Sequence, residues 1–342
     1  MLSKITVSPA PHISQPLSTR RVMLDVIIGL AFPMAAAVLF FRQYAVTLLL
    51  VSIATCVASE WIVNWIRKKT CSICDFSAVV TGIILALSMP PAAPWWSVVV
   101  GGAFAIVIVK MLYGGLGYNI FNPAMAARVF LTISFGTLMT TWRVPATIDP
   151  AMPQVSPTST QANYTTRATV MAWSKMSLKG ILEGNQTVKE VDAFSKDSFL
   201  GTEPGCLGET SALAILLGGM YMLIRKTITW RIPFAVLISA VAVATVGWLA
   251  KPDAYPNPGL QLVGGGLMLG AFFIATDPVT SPLTAKGEWI FGLGVGALIM
   301  LIRFLGEYPE GVMYAVLIMN ALTPLIDRFT RLIPAGGKPN VQ

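Results

Sequence analysis

The chain has 342 residues, of which 55% are hydrophobic and only 12% charged, with a mean hydropathy of +0.69. A water-soluble globule carries roughly 25% charged residues, so the composition excludes one and defines an all-α polytopic membrane protein. The net charge of +8 does not imply nucleic acid, because the basic residues fall mostly in short connections, as the positive-inside rule requires.

A 1–21 arm opens the chain, polar and carrying Lys4, the single histidine His12, Arg20 and Arg21. No short apolar core with a small-residue cleavage site follows it, so no removable signal peptide is expected. A helix needs about 20 apolar residues to cross the bilayer core. By that measure a first membrane half, 22–140, has spans near 22–41, 44–66, 76–91, 95–113 and 122–140. A polar connection, 141–208, follows, with Trp142 and Trp173 suited to anchor it at an interface. The second half, 209–330, has spans near 209–225, 231–250, 259–276, 288–306 and 310–327, ten in all, before a 331–342 tail.

Charge sets the expected orientation. With a cytoplasmic N-terminus, the short inner connections carry Arg67-Lys68-Lys69, Arg225-Lys226, Arg231, Lys286, Arg328 and Arg331. The short outer ones carry only Arg42 and Lys251, which places both termini in the cytoplasm and the long connection outside. Two five-helix halves separated by that connection would be inverted repeats. Thr81–Leu87 ending at Pro90-Pro91 and Gly265–Ala271 ending at Pro278 are similar glycine-led segments that stop at proline. Inverted repeats with broken helices place sites near the breaks.

Few residues carry chemistry. Cys56 reads as a small hydrophobe within a span. Cys71 and Cys74 form a lone CxxC that supplies two ligands, where zinc and iron–sulfur sites usually take four, so no metal is expected. Glu60 lies near Arg67 and Lys68 and reads as paired or snorkelling there. Gly114-Gly115-Leu116-Gly117-Tyr118-Asn119-Ile120-Phe121-Asn122-Pro123 leads into the fifth span. Asn122 before Pro123 is a cap followed by proline at the first helical position, yet the glycines and two amides equally suit a planar ligand. Arg128 lies deeper, where an arginine requires a partner.

Gly205-Cys206-Leu207-Gly208-Glu209-Thr210-Ser211 ends the long connection where the sixth span begins. A hydroxyl at a helix start after glycines suits a phosphate, bound or attached; the alternative is an ordinary cap by Thr210 or Ser211. In Ala275-Thr276-Asp277-Pro278-Val279-Thr280-Ser281-Pro282 the two prolines force irregular backbone. It reads either as a capped turn or as the lining of a cofactor or cation path. Asn119, Asn122 and Arg128 are expected to border one site with Asp277 and Thr280, near the cytoplasmic side. The competing expectation is that Arg128 and Asp277 simply neutralise each other. Gly292-Leu293-Gly294-Val295-Gly296 lies within an apolar helix and reads as close packing rather than a dinucleotide loop. Asn163 and Asn185 fit the glycosylation pattern, which matters only in a eukaryotic secretory pathway.

Together these segments, with Asp75-Phe76-Ser77-Ala78-Val79-Val80-Thr81-Gly82, resemble in order the D subunit of the Rnf ion-translocating ferredoxin:NAD oxidoreductase complex. That subunit is homologous to the B subunit of the sodium-pumping NADH:quinone oxidoreductase, and the short N-terminal arm favours the Rnf type. The resemblance implies an electron-transport flavoprotein of the bacterial inner membrane that carries FMN on Thr210 through a phosphoester made by a flavin transferase. The motif around it is Gly208, Glu209 and Ser211. It also implies a noncovalent riboflavin, and partner subunits of types A, B, C, E and G that bind NAD and ferredoxin. The chain itself relays electrons and has no complete catalytic site. Two other readings remain at this level: the quinone-reducing homologue's subunit, and a channel or transporter without redox function.

Overall fold

The computed structural model describes residues 18–68, 72–141, 199, 205–251, 255–306 and 310–330. His12, Cys71, Trp142, Trp173, Asn163, Asn185 and the 331–342 tail lie outside them. The described residues are helical, with no strand among them. In chain order the main helices are α1 (Thr19–Phe41), α2 (Gln43–Ile66), α3 (Ser77–Leu87), α4 (Trp95–Ala103), α5 (Pro123–Ser134), α6 (Ala212–Ile224), α7 (Arg231–Ala250), α8 (Pro258–Val263), α9 (Ala285–Leu305) and α10 (Val312–Phe329). Five of them, α1, α2, α7, α9 and α10, are long and apolar enough to cross a membrane.

The other expected spans are shorter or broken. α3 stops before the Pro90-Pro91 pair. α4 runs on as a π-helix, Phe104–Met111. α8 breaks at Gly264–Gly266 and resumes as Leu267–Leu269 and a π-helical turn, Gly270–Ile274. Local caps follow the sequence. Asn122 accepts from the Ala124 and Met125 N–H groups ahead of Pro123, and Thr284 accepts from the Gly287 N–H.

The two halves pack in parallel ways. α2 lies on α3 and α4; likewise α7 lies on α8 and α9. Across the halves, α1 packs on α6 and α5 on α10. The α7–α9 contact explains the Gly292–Gly296 run, because a Cβ on Gly296 would collide with the Val236 carbonyl and the Ser239 hydroxyl.

Among the described residues the buried charges other than Arg128 are paired, as an apolar surround demands. Glu60 differs from expectation: its partner is Lys110, at 2.8 Å, and both are almost wholly buried. Arg67 instead donates to the Met111 carbonyl. Asp25 of α1 accepts from Tyr221, Arg225 and Thr227, tying α1 to the end of α6. Arg303 of α9 donates to the Gln261 and Gly264 carbonyls, which the break in α8 leaves free, and lies 3.8 Å from Glu310.

Candidate functional site

Two cavities lie where helices break. The first, of about 60 Å³, is bordered by Ser77, Lys110, Asn119, Asn122, Thr276 and Asp277. The turn that brings Asn119 there needs its glycines, since Gly114, Gly115 and Gly117 all have φ between +93° and +133°. Asn119 donates to the Phe121 carbonyl, but its buried Oδ1 has no partner. The Lys110 ammonium bridges the Glu60 carboxylate and the Ser77 hydroxyl, at 2.8 and 2.6 Å. Asp277 accepts from the Val279 N–H and the Thr280 hydroxyl, and burial pushes its carboxyl above the usual range. Thr280 thus stands behind Asp277 and does not itself border the space.

Arg128 corrects the expected grouping. It lies six residues beyond Asn122 on α5, about 9 Å along the axis and turned to another face. There it borders the second cavity, of about 50 Å³, with Ser88, Cys206, Glu209, Gly266 and Glu310. The Arg128–Asp277 pair therefore does not form. Among the described residues Arg128 Nη2 reaches only the Met139 carbonyl at 3.4 Å and Cys206 Sγ at 3.9 Å, and its buried Nη1 has no partner. Glu209 accepts from the Cys206 N–H, and Glu310 from the Gly266 N–H.

Cys206 and Glu209, from the turn that contains Thr210, line this cavity, and the residues of that turn divide their tasks. Leu207 and Gly208 donate to the Met89 and Leu87 carbonyls, docking the turn on the end of α3. A side chain at Gly208 would press on Leu87, with Cβ atoms 2.8 Å apart. Ser211 caps α6 by accepting from the Ala214 N–H. Thr210 is therefore not needed as the cap. Its hydroxyl, buried in a residue only 3% exposed, makes one long bond of 3.4 Å to the Leu207 carbonyl.

Sequence reasoning missed Lys110 and Glu310. Lys110 carries a signal, a lone lysine in an apolar span; Glu310 sits among polar neighbours and carries none. Cys74 is exposed, and the described residues hold no cluster of three or more metal-ligating side chains.

The fold and the two cavities define a polytopic helical membrane protein whose polar side chains converge at helix breaks. The chain belongs to the NQR2, RnfD, RnfE family, whose family model matches residues 6–336. It is 41% identical over 328 residues to the D subunit of the Na(+)-translocating ferredoxin:NAD(+) oxidoreductase complex of Acetobacterium woodii, covering 96% of this chain and 94% of that protein. It is 39% identical over 332 residues to the D subunit of the proton-translocating ferredoxin:NAD(+) oxidoreductase complex of Clostridium ljungdahlii, covering 97% and 96%. To the D subunit of the ion-translocating oxidoreductase complex of Salmonella arizonae it is 39% identical over 347 residues, 97% of each chain.

Proposed function

We propose that this chain is the flavin-carrying membrane subunit of an ion-translocating electron-transport complex. It relays electrons between ferredoxin and NAD sites on partner subunits of the A, B, C, E and G types, coupled to Na⁺ or H⁺ transport. The names of its relatives support the assembly and the reaction. In this reading the chain crosses the bacterial inner membrane ten times as two inverted halves, with both termini cytoplasmic and Thr210 outside. The matched packing of α1 on α6 and α5 on α10 favours that symmetry.

The observation that carries the flavin assignment is the spare Thr210 hydroxyl beside a capping Ser211. Thr210 Oγ would take the phosphorus of FMN from FAD on a flavin transferase, the pyrophosphate bridge breaking and AMP leaving. The donor and acceptor set of the amide cavity supports a second, noncovalent flavin, riboflavin: the unpartnered Asn119 Oδ1 would accept a ring N–H, and Asn122 and Thr276 border the space. As closed, that cavity has room for a few waters. Bound flavin supplies the electron-transfer chemistry; the chain's residues position it and set its surroundings.

Wild type and Thr210→Ala, each co-expressed with a flavin transferase, are compared by in-gel flavin fluorescence after denaturation. Wild type is expected to fluoresce and the variant to be dark. Flavin retained on the denatured variant would refute the assignment.

A further inference from the structure

The second cavity contains a cation without an ion-pair partner among the described residues. Arg128 is only 6% exposed, Nη1 has no partner and Nη2 has two long contacts. Among the described residues no carboxylate lies within ion-pair distance of it. Burying a charge without partners is costly, so a buried arginine with free donors points to an anionic ligand. A guanidinium presents its N–H groups as a planar fork that matches phosphate oxygens. The other buried cations are already engaged: Arg303 by two carbonyls and Glu310, Lys110 by Glu60 and Ser77.

We propose that Arg128 holds the phosphodiester that tethers the flavin to Thr210, with this cavity as its seat. The inference rests on the attachment at Thr210 proposed above. Three features of the cavity support it. The acceptor residue directly follows Glu209, which borders the space, and Cys206 of the same turn is a neighbour of Arg128. A free volume of about 50 Å³ suits a tetrahedral group the size of a few waters. The two carboxylates that share the space converge on Gly266. A Cβ on Gly266 would lie 2.8 Å from Glu209 Oε1 and 3.4 Å from Glu310 Oε2. There Glu310 is held by the Gly266 N–H and by Arg303, and Glu209 by the Cys206 N–H.

The test uses the full chain, co-expressed with a flavin transferase, stripped of lipid and held in a phosphorus-free detergent. Riboflavin contains no phosphorus, so a ³¹P diester resonance reports only the tether. In wild type with ¹⁵N-labelled arginine, ³¹P–¹⁵N dipolar recoupling should detect a guanidinium beside the diester. The coupling should vanish in Arg128→Lys, while in-gel fluorescence shows the flavin still attached. Arg128→Met should also keep its flavin and show a displaced ³¹P resonance. No coupling in a flavinylated wild type would overturn the proposal. So would wild-type ³¹P behaviour in both variants, or a changed flavin midpoint potential with an unmoved ³¹P resonance, which would place Arg128 at the ring. A wild type without any diester resonance would instead remove the attachment itself, and this inference with it.

Discussion

Thr210 and Ser211 show how adjacent hydroxyls separate at the residue scale. Ser211 has the extended backbone of a cap and accepts from Ala214, so Ser211→Ala should cost about 1 kcal/mol. The expected result is a lower thermal midpoint with flavin still on the chain, the reverse of Thr210→Ala; loss of flavin from the Ser211 variant would mean that the cap and the acceptor cannot be separated. Asp277 offers a second test. Burial raises its carboxyl above the usual range, and asparagine can keep the bond from the Val279 N–H. Asp277→Asn should leave Thr210 flavinylation intact, since Thr210 belongs to the turn beside the other cavity. It should reduce acid-extractable flavin or electron transfer in the assembled complex. A variant with full noncovalent flavin and wild-type pumping would confine Asp277 to its turn.

At the scale of elements, the Lys110–Glu60 pair clamps the π-helical end of α4 to α2. Removing one partner of a buried pair strands the other, so Lys110→Met should destabilise the protein by about 3–5 kcal/mol. Adding Glu60→Gln should recover most of that loss, measured by denaturation in detergent; no recovery would mean that Lys110 contributes through something other than this pair. The pair was only half legible in the sequence. Glu60 clearly needed a cation, but Arg67 and Lys68 were nearer in the chain. Fifty residues separate Glu60 from Lys110, and only the packing of α4 on α2 brings them together. The cap at Asn122 was legible, because a cap depends on a few consecutive residues. The break in α8 was visible as glycine and proline, but its stabilisation by Arg303 from α9 was not.

For the whole molecule, hydropathy and charge yield a topology that chemistry can check. Single cysteines introduced for Arg225 and within the 141–208 connection should differ toward a membrane-impermeant maleimide. In intact cells the connection should react, whereas position 225 should react only after permeabilisation; labelling of position 225 in intact cells would invert the assignment.

The sequence by itself determined the membrane class, the placing of most apolar segments, the family and the turn that contains Thr210. Each of these follows from composition or from residues adjacent in the chain. It also grouped Asn119, Asn122 and Asp277, which border one cavity. Tertiary structure alone decided that Arg128 leaves that group for the wall beside Glu209, that Lys110 answers Glu60, and that Ser211 rather than Thr210 caps α6. The first two depend on which faces α2, α4 and α5 turn toward their neighbours. A face is fixed by the packing of helices distant in the chain, and the third by a turn docked on the end of α3, so none of them is written in a local pattern.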